Sequence, residues 1–250
     1  MEEHITWITR FVNHYLGGVA LSLDSALHIT PTHPDMPIQQ HVVMALIVLV
    51  ISTILALIVR ARLSVENPGS LQQISEMLIS NPMGFGARDL VVENVHHHPD
   101  RYVPFIGSIG VFVLIANLMS LFPAFSAPTV QETVPLACAI LTFLYFNYHG
   151  LRHHGPVKYT AHFAGPVWWL SWLIFPVEII STTARILSLT VRLYGNMFAG
   201  DMVILVFVSL IPIAIPIIFI GLHIGVAFIQ AYVFVLLATV YLAGAAGEAH

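Results

Sequence analysis

Apolar residues in this chain form five long runs separated by polar segments. About 20 helical residues cross the hydrocarbon layer of a bilayer, which is about 30 Å thick. The runs are His41–Val59, Val103–Phe122, Thr133–Tyr148, and two longer ones from about Trp168 to Leu210 and from about Ile213 to Ala243. We therefore expect an all-α integral membrane protein with five transmembrane helices.

The last two runs are too long for upright helices, because they would reach about 60 and 45 Å at about 1.5 Å per residue. We expect these two helices to be strongly tilted, bent or extended beyond the lipid. Pro212 and Pro216 mark the hairpin between them. Trp168, Trp169 and Trp172 fit an interfacial aromatic belt at the start of the fourth helix.

The segments outside these runs are polar or amphipathic. Between the first two runs, Ser70–Ile79 and Leu90–His96 are amphipathic and are interrupted at residues 81–84, which predicts an interfacial helix rather than another crossing. Residues 1–40 are expected to form a polar segment outside the membrane on the extracytoplasmic side. Residues 41–250 are expected to form a single membrane domain.

Composition supports a membrane protein and excludes several other classes. The chain has 250 residues, of which 57% are apolar and 9% charged, whereas soluble domains carry about 25% charged residues. The net charge of -4 and the absence of a basic cluster argue against a nucleic-acid partner. Cys138 is the only cysteine, so no disulfide can form within the chain.

The basic residues predict the orientation in the membrane. With five crossings, Arg10 lies on one side. Six basic residues lie on the other: Arg60, Arg62, Arg88, Arg101, Arg152 and Lys158. Because basic residues concentrate on the cytoplasmic side, we expect the N-terminus outside and the C-terminus in the cytoplasm.

One of the remaining basic residues, Arg192, lies inside the fourth apolar run. A charged residue at the centre of a bilayer costs about 3 kcal/mol on insertion scales. A guanidinium cannot lose its proton to avoid that cost. Arg192 therefore needs either an ion-pair partner on another helix or a function that requires a permanent positive charge.

Further polar residues follow one line along the fourth helix. A step of seven residues returns to within about 20° of its starting direction. The residues within about 40° of one line are Glu178, Ser181, Arg185, Ser188, Arg192 and Asn196. Asp201 is nine residues beyond Arg192 and points to the opposite face, which disfavours a direct salt bridge between the two.

The fifth helix has a similar line, formed by His223, Gln230 and Tyr241. If the two helices pack antiparallel, Asp201 and His223 lie at similar depth toward the outer end, where a carboxylate and an imidazole can relay protons. Tyr241 then lies toward the inner end with Glu178 and Ser181. Taken singly, Ser181, Ser188 and Gln230 are more often polar contacts that join helices than parts of an ion path.

Three sequence segments resemble subunit a of the F-type ATP synthase. The most specific is Leu189–Asp201, with Arg192, Asn196 and Asp201 in the run LTVRLYGNMFAGD. The run NLMSLFP at residues 117–123 and the run QAYVFVLLATVYL at residues 230–242 also resemble that family. The similarity extends over roughly residues 40–245.

This resemblance implies a proton-translocating stator subunit of a rotary ATP synthase in the bacterial inner membrane. Its partners would be a rotor ring of small hairpin subunits, each with one essential carboxylate, the peripheral stalk subunits and membrane lipid. Arg192 would face the ring and keep the passing carboxylate ionised. The resemblance places Asn196, Asp201, His223 and Gln230 in the outer half-channel. It places Glu178, Ser188 and Tyr241 on or near the inner one, and Arg185 on the rotor-facing side.

Two positions depart from the family pattern. Asp201 stands where many bacterial members have Glu, and Ser120 stands where some have Asp, so the resemblance implies no acid at position 120. The relay residues favour H⁺ over Na⁺ as the transported ion. The subunit is expected to be non-catalytic on its own and to need no cofactor.

Two alternatives come from other functional classes. The chain has 14 histidines, and those at positions 96–98, 149, 153, 154 and 162 include a spacing similar to the histidine boxes of diiron lipid enzymes. However, a third full box is missing. The other alternative is a stand-alone ion channel or transporter, for which the sequence shows no pair of Gly- or Pro-broken helices.

Overall fold

The structure is a computed structural model. It describes residues 6–26, 37–64, 66–81, 84–95, 98–122, 125–155, 171–210 and 214–246. The α-helices within these ranges are α1 (Trp7–Ala26), α2 (Gln40–Ala61), α3 (Ser70–Ile79), α4 (Ala87–Asn94), α5 (Val103–Leu118), α6 (Thr133–His154), α7 (Ser171–Leu210) and α8 (Ala214–Ala246). Short 3-10 turns occupy Pro99–Arg101, Met119–Leu121 and Pro128–Val130.

Five of these helices, α2, α5, α6, α7 and α8, are long and apolar enough to cross a membrane. This confirms the five predicted crossings, with α6 extending further than the apolar run that predicted it. The 40 residues of α7 reach about 60 Å, so this helix must tilt or extend past the lipid. Trp172 is 77% exposed at its start, whereas Trp168 and Trp169 lie outside the described residues.

The segment between α2 and α5 contains two short helices. The α3 helix has the predicted bounds, whereas α4 begins three residues before the predicted Leu90. Between them, the Asp89 Oδ2 accepts a hydrogen bond of 2.6 Å from the backbone N–H of Asn81, and Gly84 adopts a positive φ of 79°. A carboxylate on α4 thus contacts the backbone just after α3, across the interruption predicted from sequence.

The N-terminal segment contains a helix that the hydrophobic pattern did not predict. The α1 helix has 20 residues, although the sequence indicated only a polar segment there. It is not among the helices apolar enough to span a membrane in the described ranges.

The core is centred on α8, which packs against α4, α5, α6 and α7. The α5–α8 contact is especially close, because a Cβ added at Gly110 would lie 2.6 Å from the Val235 Cγ2. Small residues allow such close approach between membrane helices, where packing provides much of the attraction. Leu189 and Leu193 attach α7 to the same core, where Phe234 of α8 is fully buried.

We predict that Gly110→Ala destabilises the fold by about 1–3 kcal/mol, the usual range for overpacking a dense core. The matched control is Gly107→Ala on the same helix, where an added Cβ meets nothing within 4 Å. Thermal unfolding of the detergent-solubilised chain, followed by circular dichroism, measures both effects.

Adding Val235→Ala to Gly110→Ala should restore part of the lost stability, because it removes the methyl group that the new Cβ meets. Equal melting temperatures for Gly110→Ala and Gly107→Ala would contradict the close α5–α8 contact.

Candidate functional site

Arg192 lies near the middle of α7, beside the face of the helix that packs into the core. Its Nη2 lies 3.4 Å from the Ser188 Oγ, one turn earlier, which is long for a hydrogen bond. Among the described residues, no carboxylate lies within ion-pair distance of this guanidinium. In this part of the chain, the permanent charge therefore has only a weak neutral contact.

His223 is the centre of the first polar group, which we call the His223 cluster and which comprises His223, Asp201 and Ser120. The His223 side chain is 3% exposed, and its Nε2 lies 3.7 Å from the Asp201 Oδ1 and 2.8 Å from the Ser120 Oγ. Asp201 is 34% exposed, so it is the more accessible member. The proximity of Asp201 and His223 agrees with the depth expected from an antiparallel hairpin.

Ser120 links the imidazole of His223 to the backbone at the end of α5. The Ser120 Oγ donates a hydrogen bond of 2.9 Å to the carbonyl oxygen of Asn117. A hydroxyl has only one proton to donate. While that proton is on the Asn117 carbonyl, the His223 Nε2–H must be the donor to Ser120. In this arrangement the Nε2 of His223 carries a proton and the Ser120 Oγ accepts a hydrogen bond from it.

Gly200 makes room for the His223 ring. A Cβ at this position would overlap the Nδ1 and Cε1 atoms of that ring. Because Gly200 precedes Asp201, the sequence places the smallest residue against the imidazole and the acid immediately after it. The pair Gly200–Asp201 therefore allows α7 and α8 to approach closely at this level.

Asn196 and Gln230 form a second contact between α7 and α8. The Asn196 Nδ2 donates a hydrogen bond of 2.7 Å to the Gln230 Oε1. Gln230 is 3% exposed, and its Nε2 is buried without a hydrogen-bond partner among the described residues. The amide of Gln230 thus retains unused donor capacity next to Asn196.

A third group, the Tyr241 cluster, comprises Glu178, Arg185 and Tyr241. The Arg185 Nη2 lies 3.9 Å from the Glu178 Oε1, and both side chains are more than a third exposed. The guanidinium carbon of Arg185 lies 5.6 Å from the centre of the Tyr241 ring, within cation–π range. Because both side chains are partly exposed, water can reach the charged groups of Arg185 and Glu178.

The order of these contacts shows that α7 and α8 are antiparallel. Going along α7 from Arg185 to Asn196 to Asp201, the partners on α8 are Tyr241, Gln230 and His223. Arg192 lies nine residues from Asp201 and fourteen from Glu178, which correspond to about 14 and 21 Å along the helix. The charge of Arg192 therefore separates two polar groups at different depths.

The sequence predicted the proximity of Asp201 and His223 and the absence of an Arg192–Asp201 pair, and the structure has both. It did not predict the Asn196–Gln230 hydrogen bond or the contact of Arg185 with the Tyr241 ring. Ser181 was expected beside Glu178 and Tyr241, but no hydrogen bond is described for its side chain.

The member of the His223 cluster that the sequence missed is Ser120, which is 103 residues from His223 in sequence. The sequence feature that could have indicated this contact is the pair of polar residues Asn117 and Ser120 at the end of an otherwise apolar run.

The histidine-rich loops provide no support for a metal centre in the part of the chain that the structure describes. No group of three or more metal-ligating side chains occurs there. His149 is buried among the rings of Tyr102, Tyr145 and Tyr148. The histidines at positions 96, 97 and 162 lie outside the described residues, as do the side chains of His153 and His154.

Comparison with known proteins identifies the family. The chain matches the family described as ATP synthase A chain over residues 41–243. It is 44% identical over 247 residues to ATP synthase subunit a of Koribacter versatilis, covering 99% of each chain. It is 40% identical over 238 residues to ATP synthase subunit a of Solibacter usitatus, covering 95% of this chain and 99% of the relative.

A third relative, ATP synthase subunit a 1 of Syntrophotalea carbinolica, is 42% identical over 210 residues, which cover 84% of this chain and 87% of the relative. The family match over residues 41–243 spans every residue of the site described above. The matches confirm the resemblance found in the sequence motifs. The chain belongs to the ATP synthase subunit a family.

Proposed function

We propose that this chain is the proton-translocating stator subunit in the membrane sector of a rotary ATP synthase. The observation that carries this proposal is the position of Arg192, which has no acidic partner in the described chain and lies between two polar groups. Such a charge is available to a carboxylate on another subunit. Nucleotide chemistry takes place elsewhere in the complex, so this subunit is not a catalyst by itself.

The mechanism follows from the cost of charge in lipid. A carboxylate on a rotor ring must be neutral to move through the hydrocarbon, because an ionised one is strongly disfavoured there. Opposite Arg192 the ionised form is favoured. The ring therefore releases a proton on one side of the arginine and takes up another on the other side. A membrane potential contributes about 2.3 kcal/mol per charge per 100 mV to the bias of this rotation.

The outer half-channel in this proposal contains the His223 cluster together with Asn196 and Gln230. Asp201 is accessible enough to collect a proton, and the buried imidazole of His223 passes it inward. Buried polar atoms normally find a partner, so the unused Gln230 Nε2–H is a site for water. Asn196 lies one turn from Arg192. The Asn196–Gln230 pair is therefore the last polar contact of the outer half-channel before the rotor ring.

The inner half-channel contains the Tyr241 cluster, with Ser188 beside Arg192. Glu178 can accept the proton released from the ring and pass it to water, because its side chain is partly exposed. The Tyr241 ring holds the Arg185 guanidinium through a cation–π contact. Arg185 in turn neutralises part of the charge on Glu178.

The topology follows from the charge distribution. The six basic residues on one side indicate a cytoplasmic C-terminus and an extracytoplasmic N-terminus in the bacterial inner membrane. Residues 41–250 act as a single membrane domain against the rotor ring and the peripheral stalk. The Asp201 carboxylate and the His223 imidazole can relay protons, which favours H⁺ as the transported ion.

We predict that Arg192→Ala abolishes ATP synthesis driven by an imposed pH and potential difference, because no charge then forces the ring carboxylate to ionise between the half-channels. The measurement uses liposomes that contain the complete complex, after confirming that the variant assembles. Thr183→Ala on the same helix is the matched control, since among the described residues its exposed hydroxyl bonds only to the carbonyl oxygen of Ile179.

The Thr183→Ala complex should synthesise ATP at the wild-type rate. Near-normal synthesis by a fully assembled Arg192→Ala complex would contradict the proposal and return Arg192 to a structural role.

We also predict that Ser120→Ala slows proton-driven synthesis by about 2- to 10-fold, which corresponds to the loss of one neutral hydrogen bond. Ser120→Thr should retain most of the activity because it keeps the hydroxyl next to His223. Ser108→Ala serves as the control, since that exposed hydroxyl on α5 bonds only to the carbonyl oxygen of Phe105 within the part of the chain that the structure describes.

Equal rates for Ser120→Ala and Ser108→Ala would exclude Ser120 from the proton path. Equal losses for Ser120→Ala and Ser120→Thr would show that the size of residue 120 matters and its hydroxyl does not.

A further inference from the structure

The α1 helix has an aromatic stripe that the proton path does not use. Trp7, Phe11 and Tyr15 follow one another at intervals of four residues and are 71%, 58% and 68% exposed. The Phe11 and Tyr15 rings contact each other at 4.8 Å between their centres. The stripe is therefore a continuous surface that no described part of the chain covers.

Asn13 fixes α1 next to the start of the first membrane span. The Asn13 Nδ2 donates to the carbonyl oxygen of Ile38, and the backbone N–H of Ile38 donates to the Asn13 Oδ1, both at 3.0 Å. The α2 helix begins at Gln40, only two residues later. Two residues extend at most about 7 Å, so the middle of α1 is fixed close to one end of α2.

The length of α2 places that end at the membrane boundary. Its 22 residues reach about 33 Å, slightly more than the hydrocarbon thickness of about 30 Å. The start of α2 and the attached α1 therefore lie at the level of the lipid headgroups. Most of α2 is unpacked in this chain, with Leu46, Leu49 and Val50 about half exposed, so its lipid-facing surface continues up to α1.

The composition of α1 suits a position at the level of the lipid headgroups. With 20 residues it is long enough to cross a bilayer, yet it is not apolar enough to count as a span. Trp and Tyr concentrate at membrane–water interfaces, where their apolar rings meet lipid and their polar groups meet water. Arg10 is exposed at about 60° from Trp7 around the helix, which places a cation beside the stripe where lipid phosphates lie.

We propose that α1 is an interfacial helix whose Trp7–Phe11–Tyr15 stripe inserts into the lipid headgroup layer beside the start of α2. Amphipathic helices of this kind lie in the interface plane with their apolar face about 5–10 Å deep. The Asn13–Ile38 contact then couples the membrane-bound α1 to the end of the first span. The stripe gives residues 7–26 a lipid-binding role that is separate from proton translocation.

Fluorescence quenching of Trp7 tests this proposal on the full-length chain. The chain has four tryptophans, and replacing Trp168, Trp169 and Trp172 by phenylalanine leaves Trp7 alone. The protein is reconstituted in phosphatidylethanolamine–phosphatidylglycerol vesicles, with or without brominated acyl chains. Acrylamide in the aqueous phase is the second quencher.

Two matched variants in the same background also replace Trp7 by phenylalanine. Leu16→Trp places the probe about 180° from Trp7 around the helix, at a side chain that is 49% exposed. Phe11→Trp places it elsewhere on the stripe. Because the stripe enters the lipid, bromine should quench Trp7 and the probe in Phe11→Trp at least about two-fold more than the probe in Leu16→Trp. Acrylamide should show the reverse order.

Equal quenching of both faces by acrylamide would place α1 in water and overturn the proposal. Protection of Trp7 from both quenchers would also overturn it, because the stripe would then be covered by protein.

Discussion

The arrangement of this protein depends on one constraint, which is that a permanent positive charge is held in a membrane helix without an acidic partner in the described chain. Arg192 cannot become neutral, and its only described contact is the distant Ser188 hydroxyl. In the proposed function, this charge pairs with a carboxylate that passes on another subunit. An ion pair within this chain would remove the charge that the proposal assigns to that encounter.

The packing of α7 and α8 organises the other polar residues around this charge. Because the helices are antiparallel neighbours, residues far apart in sequence pair at matching depths, as Asn196 does with Gln230 and Asp201 with His223. The core contact at Gly110 fixes α8 against α5. The same helix α5 leads into the turn that holds Ser120 against His223. Packing and proton chemistry are therefore parts of one helix assembly.

Much of this architecture could be predicted from sequence because membrane thickness and helix geometry leave few choices. The crossings follow from apolar length, and the meeting of Asp201 with His223 follows from a tight hairpin. Ser120 could not be predicted in the same way, because its contact depends on how α5 packs against α8. The α1 helix was missed because its aromatic stripe is short and its anchor, Asn13, binds 25 residues away at Ile38. In both contacts the two partners are far apart in sequence, so neighbouring residues do not identify the partner.

The most direct test of the central claim is proton flow through the membrane sector while the rotor ring is chemically crosslinked to this chain and cannot turn. With Arg192 present, the two half-channels connect only through rotation, so the locked wild-type complex should conduct no protons. In the locked Arg192→Ala complex, a single ring carboxylate can exchange protons with both sides, so passive flow should persist. Absence of flow in the locked variant, or equal flow in both complexes, would contradict the role of Arg192 as the charge that separates the half-channels.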